Sequence, residues 1–236
     1  MFKINKSNAI LEKKICIVGL GYVGLPLLKL LSKKFNVTGF DNNKLRIKEL
    51  KKKLKLKKKI GLYSKIEDVP SAQIYIITVQ TPVDKKNIPD LSPLRNASKL
   101  VGKKLNNEDF VIYESTVYPG TTTKECVPIL EKYSGLKCKF NNNLKNNEKI
   151  FHVGYSPERI SPGDKKELSQ IVKVTSGSNN YASKLIDQLY KKIIKAGTYN
   201  VEKIEIAEAS KIVENIQRDT NLALINQLSI ILNRMN

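Results

Sequence analysis

Short continuous apolar runs alternate with helical periodicity along most of this chain. Lys14-Ile15-Cys16-Ile17-Val18-Gly19 is the first such run, and a helical pattern follows it to about residue 34. Residues 36–40 read as a second strand, 44–59 as a helix and 73–79 as a third strand. Residues 110–113, 150–155 and 171–175 repeat the strand pattern. Apolar strands interleaved with amphipathic helices predict a mainly parallel sheet covered on both faces. The Asn-rich stretch 141–147 reads as a surface loop. The last part differs, because residues 201–235 contain neither Gly nor Pro. Ile206, Ala209, Ile212, Val213, Ile216, Leu222, Leu224 and Ile225 recur there at helical spacing. That pattern predicts a single helix of about 50 Å, more than a closed domain needs. The expected organisation is a doubly wound α/β domain over 1–200, then a long helix over 201–236 that begins a second domain.

The first strand–helix junction carries chemistry. Gly19-Leu20-Gly21-Tyr22-Val23-Gly24 spells G-x-G-x-x-G, and the second strand ends in Asp41, 20 residues after Gly21. Gly19 permits a tight turn, Gly21 lets a pyrophosphate approach the backbone, and Gly24 allows close helix–strand packing. The helix start offers free N–H groups and the positive end of its dipole to phosphates. Asp41 is placed to accept hydrogen bonds from the adenosine ribose, and its charge repels a 2′-phosphate. The prediction is a Rossmann-type domain that binds NAD in preference to NADP. Lys44 and Arg46 lie close by and work against that preference.

Charge changes this picture little. Of the 236 residues, 42 are Lys or Arg against 22 Asp or Glu, a formal charge of +20. A hydrophobic fraction of 41% provides a real core and excludes a solvated, disordered chain. Residues 44–59 hold ten basic side chains and one acid, with Leu45, Ile47, Leu50 and Leu54 at helical spacing and no aromatic. Such a run reads as a solvated helix face, with attraction of anions as the alternative. Nucleic-acid binders mix Arg and stacking aromatics into their patches, and this run does not. No run of about 18 apolar residues exists to span a membrane. The first residues lead into a strand pattern rather than a signal core, which argues against secretion. Cys16, Cys126 and Cys138 are too scattered for a disulfide framework or a metal site, and a reducing cytoplasm suits them. His152, the single histidine, reads as a packed strand residue.

Further segments carry a resemblance. Thr78-Val79-Gln80-Thr81-Pro82, Glu114-Ser115-Thr116-Val117-Tyr118-Pro119-Gly120-Thr121, Ser156-Pro157-Glu158-Arg159-Ile160 and Glu208-Ala209-Ser210-Lys211 through Arg218 stand in order after the glycine motif. Together they resemble the nucleotide-sugar 6-dehydrogenases over nearly the whole chain. Gln80 departs from the family's usual proline. The Pro157-Glu158-Arg159 and Gln217-Arg218-Asp219 spellings are most similar to members acting on UDP-N-acetyl sugars. The resemblance implies oxidation of a UDP-sugar C6 hydroxyl to a carboxylate with NAD, by a homo-oligomer, for surface polysaccharide. It implies NAD contacts at Gly19, Gly21, Tyr22, Val23, Gly24, Asp41, Arg46, Thr81 and Thr116. Substrate contacts fall to Arg159, Ile160, Lys211, Asn215 and Arg218, and catalysis to Lys211, Asn215, Glu158 and Thr116.

Lys211, Asn215 and Arg218 stand at i, i+4 and i+7 and share one helix face. Lys211 there can accept a proton or steady a developing alkoxide, with Asn215 orienting the group. The family completes a second oxidation on a cysteine in a Gly-Gly-His-Cys segment, which this sequence does not contain. None of its three cysteines stands in that context, so the 236-residue chain is expected to bind NAD and to turn over little by itself. Two alternatives stay open. One is a 3-hydroxyacid-type dehydrogenase using Lys211 and Asn215, and the other is a non-catalytic module that binds NAD or nucleic acid.

Overall fold

The structure, a computed structural model, describes residues 10–53, 60–140, 148–159 and 167–235. Its sheet has the strand order β3-β2-β1-β4-β5-β7-β8-β9, with the short β6 also paired to β7. The strands are β1 (Lys14–Val18), β2 (Asn36–Phe40), β3 (Gly61–Tyr63), β4 (Ile74–Ile77), β5 (Asp109–Tyr113), β6 (Lys137–Cys138), β7 (Ile150–Tyr155), β8 (Lys173–Gly177) and β9 (Thr198–Asn200). Every pairing is parallel except β7 with β8, where Gly154 faces Gly177 and Tyr155 faces Ser176. A Cβ on Gly154 would stand 2.5 Å from the Ser176 carbonyl oxygen, so a glycine is what lets these strands approach.

Both faces are covered, as the apolar runs imply. Alternate residues of β1 divide between them. Ile15 and Ile17 pack with Leu27, Leu28 and Ile186, from α1 (Gly24–Leu31) and α5 (Asn180–Lys191). Cys16 and Val18 face Leu94, Val101 and Leu130, from α3 (Ser92–Gly102) and α4 (Val127–Ser134). In α2 (Lys44–Lys53), Ile47 and Leu50 are buried, while Leu45 is 72% exposed. Leu54 and the rest of that basic run lie outside the described residues, as does the loop expected over 141–147.

The boundaries of two elements shift for local reasons. β8 begins at Lys173 rather than Ile171, because Leu168–Gln170 forms a 3₁₀ turn that Glu167 caps. The long helix α6 (Ile204–Arg234) begins after Thr198–Asn200 has paired with β8 and Val201 N–H has donated to the Thr175 carbonyl at 2.9 Å. Its 31 residues extend about 46 Å. Only Ile204, Ala207, Glu208 and Lys211 of this helix are buried. Beyond them, Val213, Ile216, Leu224, Ile225 and Leu232 are each more than half exposed. Among the described residues no helix is long and apolar enough to cross a membrane.

Candidate active site

The strand order reverses direction between β1 and β4, and loops from the carboxyl ends of β1, β2, β4, β5 and β7 meet there. This is where an open α/β sheet leaves a crevice for a ligand. A cleft of about 920 Å³ occupies the position. One wall is the glycine turn. Gly19 has φ +95°, which a side chain resists, and Gly19 N–H donates to the Phe40 carbonyl at 2.8 Å. A Cβ on Gly24 would stand 1.9 Å from the Gly19 carbonyl oxygen and 2.4 Å from Thr78 Oγ1. Gly24 is therefore a packing glycine, and the cleft is lined by Gly19, Gly21, Tyr22 and Val23 instead.

Gly21 has open space where its Cβ would be, so its backbone faces the cleft unshielded. That is the surface a dinucleotide pyrophosphate requires. Asp41 closes the same wall, with Oδ2 accepting from Leu20 N–H at 2.8 Å and Oδ1 from Asn43 N–H at 2.9 Å. Each oxygen keeps a lone pair for a ribose hydroxyl. Arg46 does not point a free charge into this region. Its Nε and Nη2 both donate to the Leu20 carbonyl at 3.2 Å, and Glu49 lies 3.9 Å from Nη1. The residues present thus fit a dinucleotide on an observed backbone cradle.

The opposite wall is assembled from distant segments. Glu114, Ser115 and Thr116 follow β5, Glu158 follows β7, and Lys211, Asn215 and Arg218 come from α6; all line the cleft. Thr81 Oγ1 donates to the Thr116 carbonyl at 2.6 Å, tying two predicted residues together. Arg159 N–H donates to Glu158 Oε1 at 2.7 Å. The Arg159 side chain turns to α6, where Nε lies 3.0 Å from Glu214 Oε2 as an ion pair off the hydrogen-bond axis. Glu214 Oε1 lies 3.2 Å from Arg218 Nη2, so one carboxylate holds both arginines. Ile160 lies outside the described residues.

Beneath this wall sits a buried charge cluster that sequence patterning does not single out. Lys173 Nζ stands 2.9 Å from Glu114 Oε2, with the two side chains 3% and 0% exposed. Tyr190 Oη donates to Glu114 Oε1, and Lys173 also donates to the Pro157 carbonyl at 3.2 Å. Lys173 thereby grips the segment that carries Glu158. Burial raises the Glu114 carboxyl above its ordinary value, and the Lys173 charge pulls against this. Lys211 is 8% exposed, and burial lowers its ammonium below the ordinary value. The Glu214 and Glu158 charges oppose that shift, while Arg218 and Arg159 add to it. A lysine poised in this way gives up and takes back a proton more readily than a surface one.

His152 is 1% exposed and stacks on Phe110 with ring centroids 4.6 Å apart, away from the cleft. All three cysteines are free and buried, each pushed up to about 12 by burial, and none lines the cleft. Among the described residues no cluster of His, Cys, Asp or Glu is arranged to hold a metal.

Fold and cleft together define a Rossmann-type dinucleotide-binding domain whose crevice is closed on one side by a lysine-bearing helix. Residues 13–194 match the UDP-glucose/GDP-mannose dehydrogenase family, NAD binding domain. The chain belongs to that family and carries its NAD-binding domain. It is 51% identical to a UDP-N-acetyl-D-glucosamine 6-dehydrogenase of Salmonella typhi over 95% of this chain and 54% of that protein. A protein of the same description from Pseudomonas aeruginosa is 49% identical with the same coverage. Among solved structures, a UDP-D-ManNAc dehydrogenase from Pyrococcus horikoshii superposes with a TM-score of 0.80 at 30% identity, over 92% of this chain and 53% of that one. The chain spans about half the length of the curated relatives it matches.

Proposed function

We propose that this chain is the cofactor-binding and proton-handling half of an NAD-dependent 6-dehydrogenase acting on a UDP-N-acetylhexosamine, in a path to surface polysaccharide. The observation that carries the reading is that Lys211, Asn215 and Glu158 line the same cleft as Gly21 and Asp41. Gly19, Gly21, Tyr22, Val23 and Asp41 hold the dinucleotide, with Gly24 packing the turn and Arg46 bracing it. Thr81 and Thr116 reach the cofactor from the far wall. Bound NAD supplies the hydride acceptor. Lys211 takes the proton from the sugar hydroxyl as the hydride leaves, and Asn215 holds that oxygen within its reach. Glu158 positions a water or a proton near the reacting carbon, and Arg159, Ile160 and Arg218 meet the anionic substrate.

We assign no step to a thiol of Cys16, Cys126 or Cys138, since none lines the cleft. The relatives at 51% and 49% identity support the N-acetylated class. The same matches disfavour the 3-hydroxyacid and nucleic-acid readings. The exposed apolar positions of α6 suit packing against further protein, and a homo-oligomer supplies it in this reading. Free buried cysteines suit a reducing cytoplasm. Saturation-transfer NMR with NAD present tests the substrate class. Contact with UDP-N-acetylglucosamine stronger than with UDP-glucose, and none with a small 3-hydroxy acid, is expected. The reverse order overturns the reading.

A further inference from the structure

Lys211 sits between two acidic side chains on its own helix, one turn before it and one turn after. Glu208 is fully buried, and its carboxylate makes no side-chain ion pair among the described residues. Instead Oε2 accepts from Gly120 N–H at 2.6 Å and Oε1 from Thr122 N–H at 2.9 Å. Those two N–H groups open the continuous helical stretch formed by the π-helical turn Thr122–Cys126 and α4. They are orphan donors at a positive dipole end, which a carboxylate satisfies best. Gly120 itself has φ +90°, so the turn presents both N–H groups in one direction. One turn earlier, Thr123 Oγ1 donates to Glu205 Oε1 at 3.1 Å. One turn beyond Lys211, the Arg159–Glu214 pair ties the helix to the segment carrying Glu158. Past that point the apolar side chains of α6 are exposed, so these attachments set where the helix stands against the cofactor domain.

We propose that Glu208 is a positioning residue: by holding the turn at Gly120–Thr122 it fixes the rotation and height of α6 that bring Lys211 into the cleft beside Thr116 and Glu158. The inference rests on the proposed role of Lys211 in proton transfer. Glu208 reaches no substrate or cofactor and acts through the helix. Lys211 is surrounded by Glu158 and Arg159 from the loop after β7 and by Glu214 and Arg218 on α6. The Glu208 carboxylate is engaged by Gly120 and Thr122, so its removal acts on Lys211 through the position and burial of the helix, whereas loss of its negative charge alone would lower the Lys211 midpoint.

The experiment is trace acetylation of the whole chain across pH 7–11, with Lys211 followed by peptide mass spectrometry and the other lysines as internal standards. Each curve is normalised to its high-pH plateau, and NAD affinity is measured on the same samples. In Glu208→Ala the Lys211 midpoint should rise toward that of the surface lysines, with its normalised reaction at pH 8 falling about threefold or more. NAD affinity should stay within about twofold. An unchanged midpoint in the folded variant overturns the proposal and leaves Glu208 a structural stitch. A falling midpoint also overturns it, since that is the sign of a lost negative charge. If Glu208→Ala does not fold, Glu208→Gln retains one acceptor and is read by the same criterion, with a smaller rise. A wild-type chain that fails to bind NAD contradicts the proposed function instead, and the Lys211 curves still report on the attachment.

Discussion

The two walls of the cleft are built by opposite means. The cofactor wall comes from residues 19–46 and is almost all backbone: a glycine turn, an exposed Gly21 and one carboxylate that braces the turn. The opposite wall draws on residues 78–81, 114–116, 156–159 and 211–218, and buried charge holds it together. Lys173 and Glu114 anchor it from below, Glu208 from the side and Glu214 from above. The first wall is specified by covalent neighbours, so it survives local change poorly but depends little on the rest of the chain. The second depends on the whole fold being correct before any of its side chains meet.

The strongest way to break this contrast is to remove the anchor of the second wall. Lys173→Met strands the buried Glu114 carboxylate and should cost about 3–5 kcal/mol in urea unfolding. The NAD affinity of the protein that remains folded should stay within about twofold. A milder loss follows in the first wall. Gly24→Ala places a Cβ against backbone atoms that cannot yield, and should cost about 1–3 kcal/mol while abolishing measurable NAD binding in calorimetry.

The smallest effect is a titration behind the second wall. Asn179 Oδ1 accepts from Ala182 N–H at 2.9 Å, which turns its amide N–H₂ toward His152 Nδ1 at 3.0 Å. His152 Nδ1 must then be an acceptor, with Nε2–H donating to Glu108 Oε2 at 3.0 Å. Burial lowers the His152 value below the ordinary 6.5, against the pull of Glu108. The folded ring is thus neutral where the unfolded one protonates, so its contribution is present above about pH 6.5 and is lost as pH falls below it. Asp109, pushed up to about 6 by burial, works in the opposite direction below that pH. The expected outcome is a faster fall in Tm below pH 6.5 for the wild type than for His152→Phe. NMR of the single histidine should show a midpoint below 6.5 with the proton on Nε2.

The contrast also explains what could be read from the chain. The glycine turn and the place of Asp41 beside it were legible because each depends on a neighbour within about twenty residues, and so was the shared helical face of Lys211, Asn215 and Arg218. The mainly parallel sheet and its two covered faces followed from the strand–helix alternation, whereas the strand order needed the structure. The antiparallel β8 was not legible, because apolar runs carry no direction. Nor were β3, β6 and β9, which are two or three residues long. Lys173 and Tyr190 gave no signal, since a lysine among many in a strand and a tyrosine in a helix acquire meaning only when Glu114 lies between them. Glu208 and Glu214 stood at i−3 and i+3 from Lys211, a spacing that marks them as neighbours, but their partners lie in loops far along the chain.

The first wall supplies most of the NAD affinity, and Lys211 of the second wall, placed for proton transfer, supplies little of it. Calorimetric titration of NAD into the wild type, Asp41→Ala and Lys211→Ala tests it most directly. The expected result is one NAD per chain for the wild type, affinity about ten- to a hundredfold weaker for Asp41→Ala, and a change within about twofold for Lys211→Ala. Equal losses in the two variants, or full NAD affinity in Asp41→Ala, would contradict it.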